Sequence, residues 1–449
     1  MVLHSFAEFA VAERERGLPA DVQQAANRAV VDWFSATVAG SGMDAARIMR
    51  ATLLDGDGAP GPCSLVPGGE RTAARTAALI NATASHIAEL DDIYREGIYH
   101  PGSPTVGAVL AAAELTGAGG ADLLRAVAVG YEIGDRIAAA MQPAHYTYWH
   151  TTGTVGTIGA AAGAAELLEL DAEQFAHALA TATTMAAGLQ QAFRSDAMSK
   201  PLHAGHAAEQ GLLAAMLAAK GFTGALDVLD GEAGFGAAMG RGPDWAPAVA
   251  ALGDPWGVTR ATVKNHSCCG HTFAAVDAAL ALRTQGVSAE DVREIHVATY
   301  STAVKVAGNP DPRTAFEAKF STAYCVAAAL ALGSVRLRAF EDERLVDPRL
   351  RDLVDRTTLV ADPEYDAGFP GRRCARVTVV DGSGTEHTYE RTTRKGDPDD
   401  PLTDAELRDK FEDLTVPVLG QSQTGRLSEA LWTLPQVSDV RELSAWGAA

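Results

Sequence analysis

Aromatic residues make up only 6% of this 449-residue chain, so its core cannot rest on large rings. Ala and Gly fill many segments instead. Small side chains let helices approach closely, and a closely packed helical body is expected. Positive charge is also scarce, with 37 Lys and Arg against 57 Asp and Glu and a formal charge of -20. A bulk nucleic-acid binder needs a net basic face, which argues against that class. A small basic pocket for an acidic ligand stays compatible with that charge. The five cysteines, Cys63, Cys268, Cys269, Cys325 and Cys374, are odd in number and lack framework spacing. That pattern points to a reducing compartment. The first residues show no basic region followed by a long apolar run, so a secretory signal is not expected. Apolar runs such as 155–168 are short and interrupted by Glu166, and none reads as a membrane span. A soluble, cytoplasmic protein is the expectation. Walker-type, dinucleotide-binding, nucleophile-elbow and HExxH signatures are all missing.

What is present is helix after helix, and the length favours two domains. Segment 21–40 carries Val22, Ala25, Ala26, Ala29, Val30, Trp33 and Phe34 at a period near 3.6. Segments 105–116, 121–141, 154–168, 172–193 and 201–220 continue in the same style, with Gly117 and Gly221 as stops. Near residue 260 the pattern changes. Residues 292–303 alternate, and 375–380 and 387–393 flank a turn at Asp381 to Gly384, a hairpin signal. Helical segments near 272–285 and 317–332 lie between them. Segments 403–414 and 423–433 are helical again. The expectation is a mainly α protein with a smaller α+β domain. The helical domain spans 1–260 and 400–449, and the α+β lid domain 261–399.

Four constellations could carry chemistry. The first runs from Ser85 to Asp92, followed by Tyr99 to Ser103. On a helix over 81–92, His86 and Glu89 share a face and Glu89 lies beside Asp92. The alternative is a solvated helix end. The second is His145 to Gly153, where His150 is either functional or a satisfied structural histidine. In the third, Ser199 to His206, Pro201 fits the first turn of a helix, with Lys200 just before it. A cation there opposes the helix dipole, and a substrate carboxylate would reconcile the two. The alternative is an exposed lysine. The fourth is Lys264 to His271. Its nitrogen and sulfur ligands raise a zinc hypothesis, but vicinal Cys268 and Cys269 give poor geometry for a shared tetrahedral site. Lys264 and His271 read better as pocket residues.

These constellations, in this order, resemble the MmgE/PrpD family, which includes 2-methylcitrate dehydratase, cis-aconitate decarboxylase and iminodisuccinate epimerase. The marks are Leu90-Asp91-Asp92 with His100-Pro101-Gly102-Ser103, then residues 149–162, 199–224, 263–280 and 317–333, and they span nearly the whole chain. The resemblance implies a large helical domain plus an α+β lid, an active site between them, a homodimer and no metal or other cofactor. It implies catalytic roles for His100, His150, Lys200, Lys264 and Tyr324. Substrate contacts follow for Glu89, Asp92, His203, Cys269 and His271. Three positions depart from the decarboxylase pattern: Glu89 stands for Asp, Ile93 for Thr and Cys269 for a pocket His. The loop before His100 is also one residue longer.

The expected function is that of a cofactor-independent lyase, foremost a hydro-lyase, acting on a small di- or tricarboxylate. Such chemistry moves a proton at a carbon next to a carboxylate. It needs a base, an acid and cations that stabilise enolate-like charge. An epimerase with two opposed bases and a decarboxylase of a cis-aconitate-like acid are the alternatives within the family. Outside it stand a metal-dependent hydrolase built on His86, Glu89, Asp92, Cys268 and Cys269, and a helical scaffold without catalysis.

Overall fold

A computed structural model describes residues 1–54, 60–195, 197–369 and 371–445. The chain divides into two compact units, Met1–Val263 with Thr403–Ala449, and Lys264–Leu402. The last four residues of the expected helical domain, 446–449, lie outside the described residues.

The first unit is built from α1 (Val2–Arg16), α2 (Ala20–Gly40), α3 (Asp44–Leu54), α4 (Ala74–Ile87), α5 (Gly102–Thr116), α6 (Gly120–Met141), α7 (Thr151–Leu167), α8 (Ala172–Thr184) and α9 (Ser199–Ala218). A two-residue ladder joins β1 (Cys63–Ser64) to β2 (Arg71–Thr72). Every residue of α7 is buried, which its Gly, Ala and Thr content allows on all sides. A Cβ at Gly211 of α9 would meet Ala160 Cβ at 2.6 Å and Thr157 O at 2.7 Å, so the two helices need that glycine. Glu166, at the end of α7, is fully buried and accepts from Arg14 at 3.0 Å and Arg125 at 2.8 Å. The pairing offsets the cost of desolvating that carboxylate.

Two expected helices end early. The 172–193 segment stops at Thr184, and residues 190–195 form a 3-10 helix. Between them Gly188 takes φ +139, which no α-helix tolerates. The 81–92 segment stops at Ile87. The returning chain forms one long element, Asp404–Trp432, with Pro417 and a non-helical Gly420 at its kink. The kink explains why two separate segments were legible there. From this helix the fully buried Lys410 pairs with Asp32 of α2 and donates to the Leu90 carbonyl at 2.9 Å.

The second unit holds a four-stranded sheet of order β4-β3-β5-β6, made of β3 (Val292–Thr299), β4 (Thr357–Ala361), β5 (Ala375–Asp381) and β6 (Glu386–Arg391). β5 and β6 pair antiparallel, Ala375 opposite Arg391, as the turn residues predict. β4 runs parallel to β3, Ile295 opposite Thr357. It was not foreseen, because this edge strand is largely exposed and lacks a buried alternation. Helices Phe273–Thr284 and Thr322–Leu332 supply Phe273, Val276, Tyr324 and Val326 to a core shared with Ile295, Val377 and Val379. The fold is mainly α with a smaller α+β part.

Candidate active site

In the first unit the chemistry gathers where α4 ends. Glu89 takes φ +58 and Ile98 φ +46, so left-handed residues bracket the loop between them. For a β-branched residue such as Ile98 that conformation is a genuine outlier, and backbone strain of this kind concentrates at functional sites. Because α4 stops at Ile87, Glu89, Asp91 and Asp92 lie on this loop and not on the helix over 81–92 that would have put Glu89 on the face of His86 and beside Asp92. Each is separated from the others by its own partner. Glu89 pairs with Lys200. Asp91 takes Nδ1 of His86 at 2.6 Å and the Ser103 hydroxyl at 3.0 Å. Asp92 accepts from the Tyr131 hydroxyl at 2.8 Å and from the Gly102 amide at 3.0 Å. A Cβ at Gly102 would meet Asp92 Oδ1 at 2.6 Å, so the glycine after Pro101 lets α5 begin against this carboxylate. Burial pushes the Asp92 carboxyl up to about 7, and the nearby Asp32 and Asp91 add to it.

His100 stands at the far end of the loop. Its Nδ1 faces the Asp92 carbonyl at 2.7 Å and the Asp91 carboxylate at 3.2 Å, and its amide donates to Thr152 Oγ1 at 3.2 Å. Two acceptors at Nδ1 place the ring proton there and leave Nε2 as the lone-pair nitrogen. His150 precedes α7 and is 1% exposed. Its Nδ1 lies 3.0 Å from Nδ1 of His203. The His86 ring stacks on His150 at 5.5 Å and meets His100 edge-on at 5.1 Å. Burial drives the His150 imidazole well below its ordinary value, with His86, Lys200 and His203 adding repulsion to a second proton. His203 is lowered to about 4 for the same first reason.

Lys200 lies one residue inside α9, not just before it. The anion that reconciles it with the helix dipole is a side chain of the chain itself, Glu89. His86, Asp91 and His100 offer ligand atoms within 4.8 Å of one another. Two atoms about 2.0–2.1 Å from a tetrahedral zinc sit roughly 3.3 Å apart. In this structure His86 Nδ1 and Asp91 Oδ2 hydrogen-bond each other at 2.6 Å, closer than that spacing.

The second unit treats its candidates differently. Lys264 is buried. His271 Nδ1 bonds the Tyr300 hydroxyl at 2.7 Å, and burial with the Arg373 and Arg394 cations lowers its ring to about 4. Burial raises the Cys269 thiol to about 11, against the lowering effect of Lys264. Tyr324 does not join these residues. It is fully buried in the core beside Phe340, and its hydroxyl donates to the Ala339 carbonyl at 2.6 Å. The sequence marks a tyrosine on a helix, and the packing turns its ring and hydroxyl into the core of this unit.

Of the expected residues, the first unit thus assembles Glu89, Asp92, His100, His150, Lys200 and His203. Sequence reading missed the central place of His86 and Asp91, although both sit inside the first constellation. Tyr131 and Lys410 gave no signal, because their partners lie far away in sequence.

The MmgE/PrpD N-terminal domain matches residues 4–248, and the MmgE/PrpD C-terminal domain matches residues 266–435. The chain belongs to the MmgE/PrpD family. It is 30% identical to a cis-aconitate decarboxylase-like protein of Aspergillus oryzae, over 95% of this chain and 93% of that protein. Cis-aconitate decarboxylase of Aspergillus terreus is 26% identical over 95% of this chain and 91% of its own. That of Mus musculus is 29% identical over 75% and 70%. Among the described residues no helix is long and apolar enough to cross a membrane.

Proposed function

We propose that the protein is a cofactor-independent lyase of a small di- or tricarboxylate, foremost a hydro-lyase, working by proton transfer next to a carboxylate. The observation that supports this reading is that two imidazoles of opposite surroundings, His100 and His150, both pack against His86. His150 is buried among other rings and near the Lys200 cation, so its neutral form prevails and it serves as base. A bound polycarboxylate strengthens that base by its negative charge. His100 lies against the Asp91 carboxylate, which can stabilise a second proton on the ring, so it serves as acid. Lys200 exchanges its Glu89 partner for a substrate carboxylate and stabilises the enolate-like charge. Asp92 acts as a substrate contact. In the second unit, Lys264 is proposed as an anion contact, with Cys269 and His271 near it in sequence. A homodimer is proposed as the working form.

Decarboxylation is the second reading, favoured by the names of the three relatives. NMR of a panel of polycarboxylates in D2O tests both. A hydro-lyase forms an alkene, and a decarboxylase loses CO2. Exchange of deuterium into the α-position without net elimination would point to an epimerase. No reaction across a wide panel would refute the lyase reading.

A further inference from the structure

His150 can act as a base only if one particular ring nitrogen carries its proton. A neutral imidazole that gave up its proton would become an imidazolate, so neutral His150 works through its lone pair. For that lone pair to lie at Nε2, Nδ1 must hold the proton and must have an acceptor. Nδ1 of His203 lies 3.0 Å from Nδ1 of His150, within hydrogen-bond distance.

The fold reserves space for that ring. A Cβ at Gly153 would meet His203 Cβ at 3.0 Å, and one at Gly188 would meet His203 Nδ1 at 3.2 Å. Gly188 also takes φ +139, a conformation that L side chains rarely adopt. His203 also lines a cleft of ≈ 700 Å³, walled by Leu189, Leu202, His206 and Glu209. If Nδ1 of His203 accepts from His150, the proton of the neutral His203 ring sits on its Nε2. The arrangement is thus a buried ring whose tautomer is set by a second ring reachable from the cleft.

We propose that His203 is a positioning residue that accepts a hydrogen bond from Nδ1–H of His150 and so fixes Nε2 of His150 as the base. This replaces the substrate contact expected for His203, and it rests on the lyase reading above. When His150 takes the substrate proton, a C–H bond breaks and an Nε2–H bond forms. The bond to His203 then holds the resulting imidazolium, and no proton passes between the rings.

The test combines two readouts on the full chain. Nitrogen-15 NMR of histidine-labelled protein reports tautomers without any substrate, with His150→Gln and His203→Asn supplying the assignments. His150 is expected to show a protonated Nδ1 and an unprotonated Nε2, and His203 the reverse. In the assay, His203→Leu should lower kcat by at least about tenfold with KM nearly unchanged, as expected when a base loses its orientation. His203→Asn places an amide oxygen near the position of Nδ1 and should restore most of the rate. A merely space-filling role would favour Leu over Asn. A proton on Nε2 of His150, equal losses in the Leu and Asn variants, or no loss in either, would each overturn the proposal. If the Leu variant does not fold, the tautomer spectrum and the Asn variant still decide. If no polycarboxylate reacts, the lyase reading fails while the spectrum separately judges the hydrogen bond.

Discussion

The two units carry similar residue types and use them in opposite ways. In the second unit each candidate ring has a fixed partner of a different kind: His266 on Asp277 at 2.8 Å, His271 on Tyr300 and Tyr324 on a backbone carbonyl. Such pairs satisfy buried polar groups and hold a core together. In the first unit histidines meet histidines, carboxylates crowd a strained loop, and a lysine leans on a helix N-terminus. Those contacts gather imidazoles, carboxylates and a cation within reach of one another. The comparison teaches that burial alone does not mark a reactive side chain. What sets the first unit apart is that several ionisable side chains converge on one another, His86 touching Asp91, His100 and His150, instead of closing off in single pairs.

The first way to break this contrast is to remove the support beneath the loop. Lys410→Met leaves the Asp32 carboxylate buried, and breaking such a pair costs about 3–5 kcal/mol. Urea unfolding should show this loss, and adding Asp32→Asn should recover part of it. A loss below about 1 kcal/mol would mean that the pair does not anchor Leu90.

The second concerns pH. The Asp92 carboxyl is raised from 3.8 to about 7 in the folded chain, so folding favours its neutral form. Its contribution is present below about pH 4 and is lost as pH rises toward 7. That difference between the folded and unfolded carboxyl corresponds to roughly 4 kcal/mol. Asp92→Asn keeps a neutral side chain and should flatten the fall in stability across that window. An unchanged slope relative to the parent would show that Asp92 is already ionised there.

A smaller effect sharpens the anion-binding claim. A charged hydrogen bond to a carboxylate contributes about 1.5–3 kcal/mol, so Lys200→Ala should lower kcat/KM at least about tenfold. Lys264→Ala is expected to do the same. Lys220, exposed in the turn that follows α9, is the control. Matching kinetics for Lys200→Ala and Lys220→Ala would remove Lys200 from the site.

The smallest effect is expected at Tyr324. Tyr324→Phe forfeits one hydrogen bond to a buried carbonyl, about 1 kcal/mol of stability, and should leave kcat within about twofold of the parent. A large fall in kcat with unaltered stability would return Tyr324 to the catalytic set.

The sequence by itself determined the helical body, the change of pattern near 260, the hairpin, the family and the clustering of candidate residues in 85–103, 145–153 and 199–206. These features are local. Helical periodicity, turn residues and runs of titratable side chains are written within a few positions of one another. Only the tertiary structure decided where α4 stops, that Glu89 neutralises Lys200, and that Tyr324 points into a core. It alone joined His150 to His203, Tyr131 to Asp92, and Lys410 to Asp32 and Leu90. Those contacts join residues 39 to 378 positions apart. No periodicity spans such distances, because the pairing energy depends on which helix faces pack together and how much water they exclude.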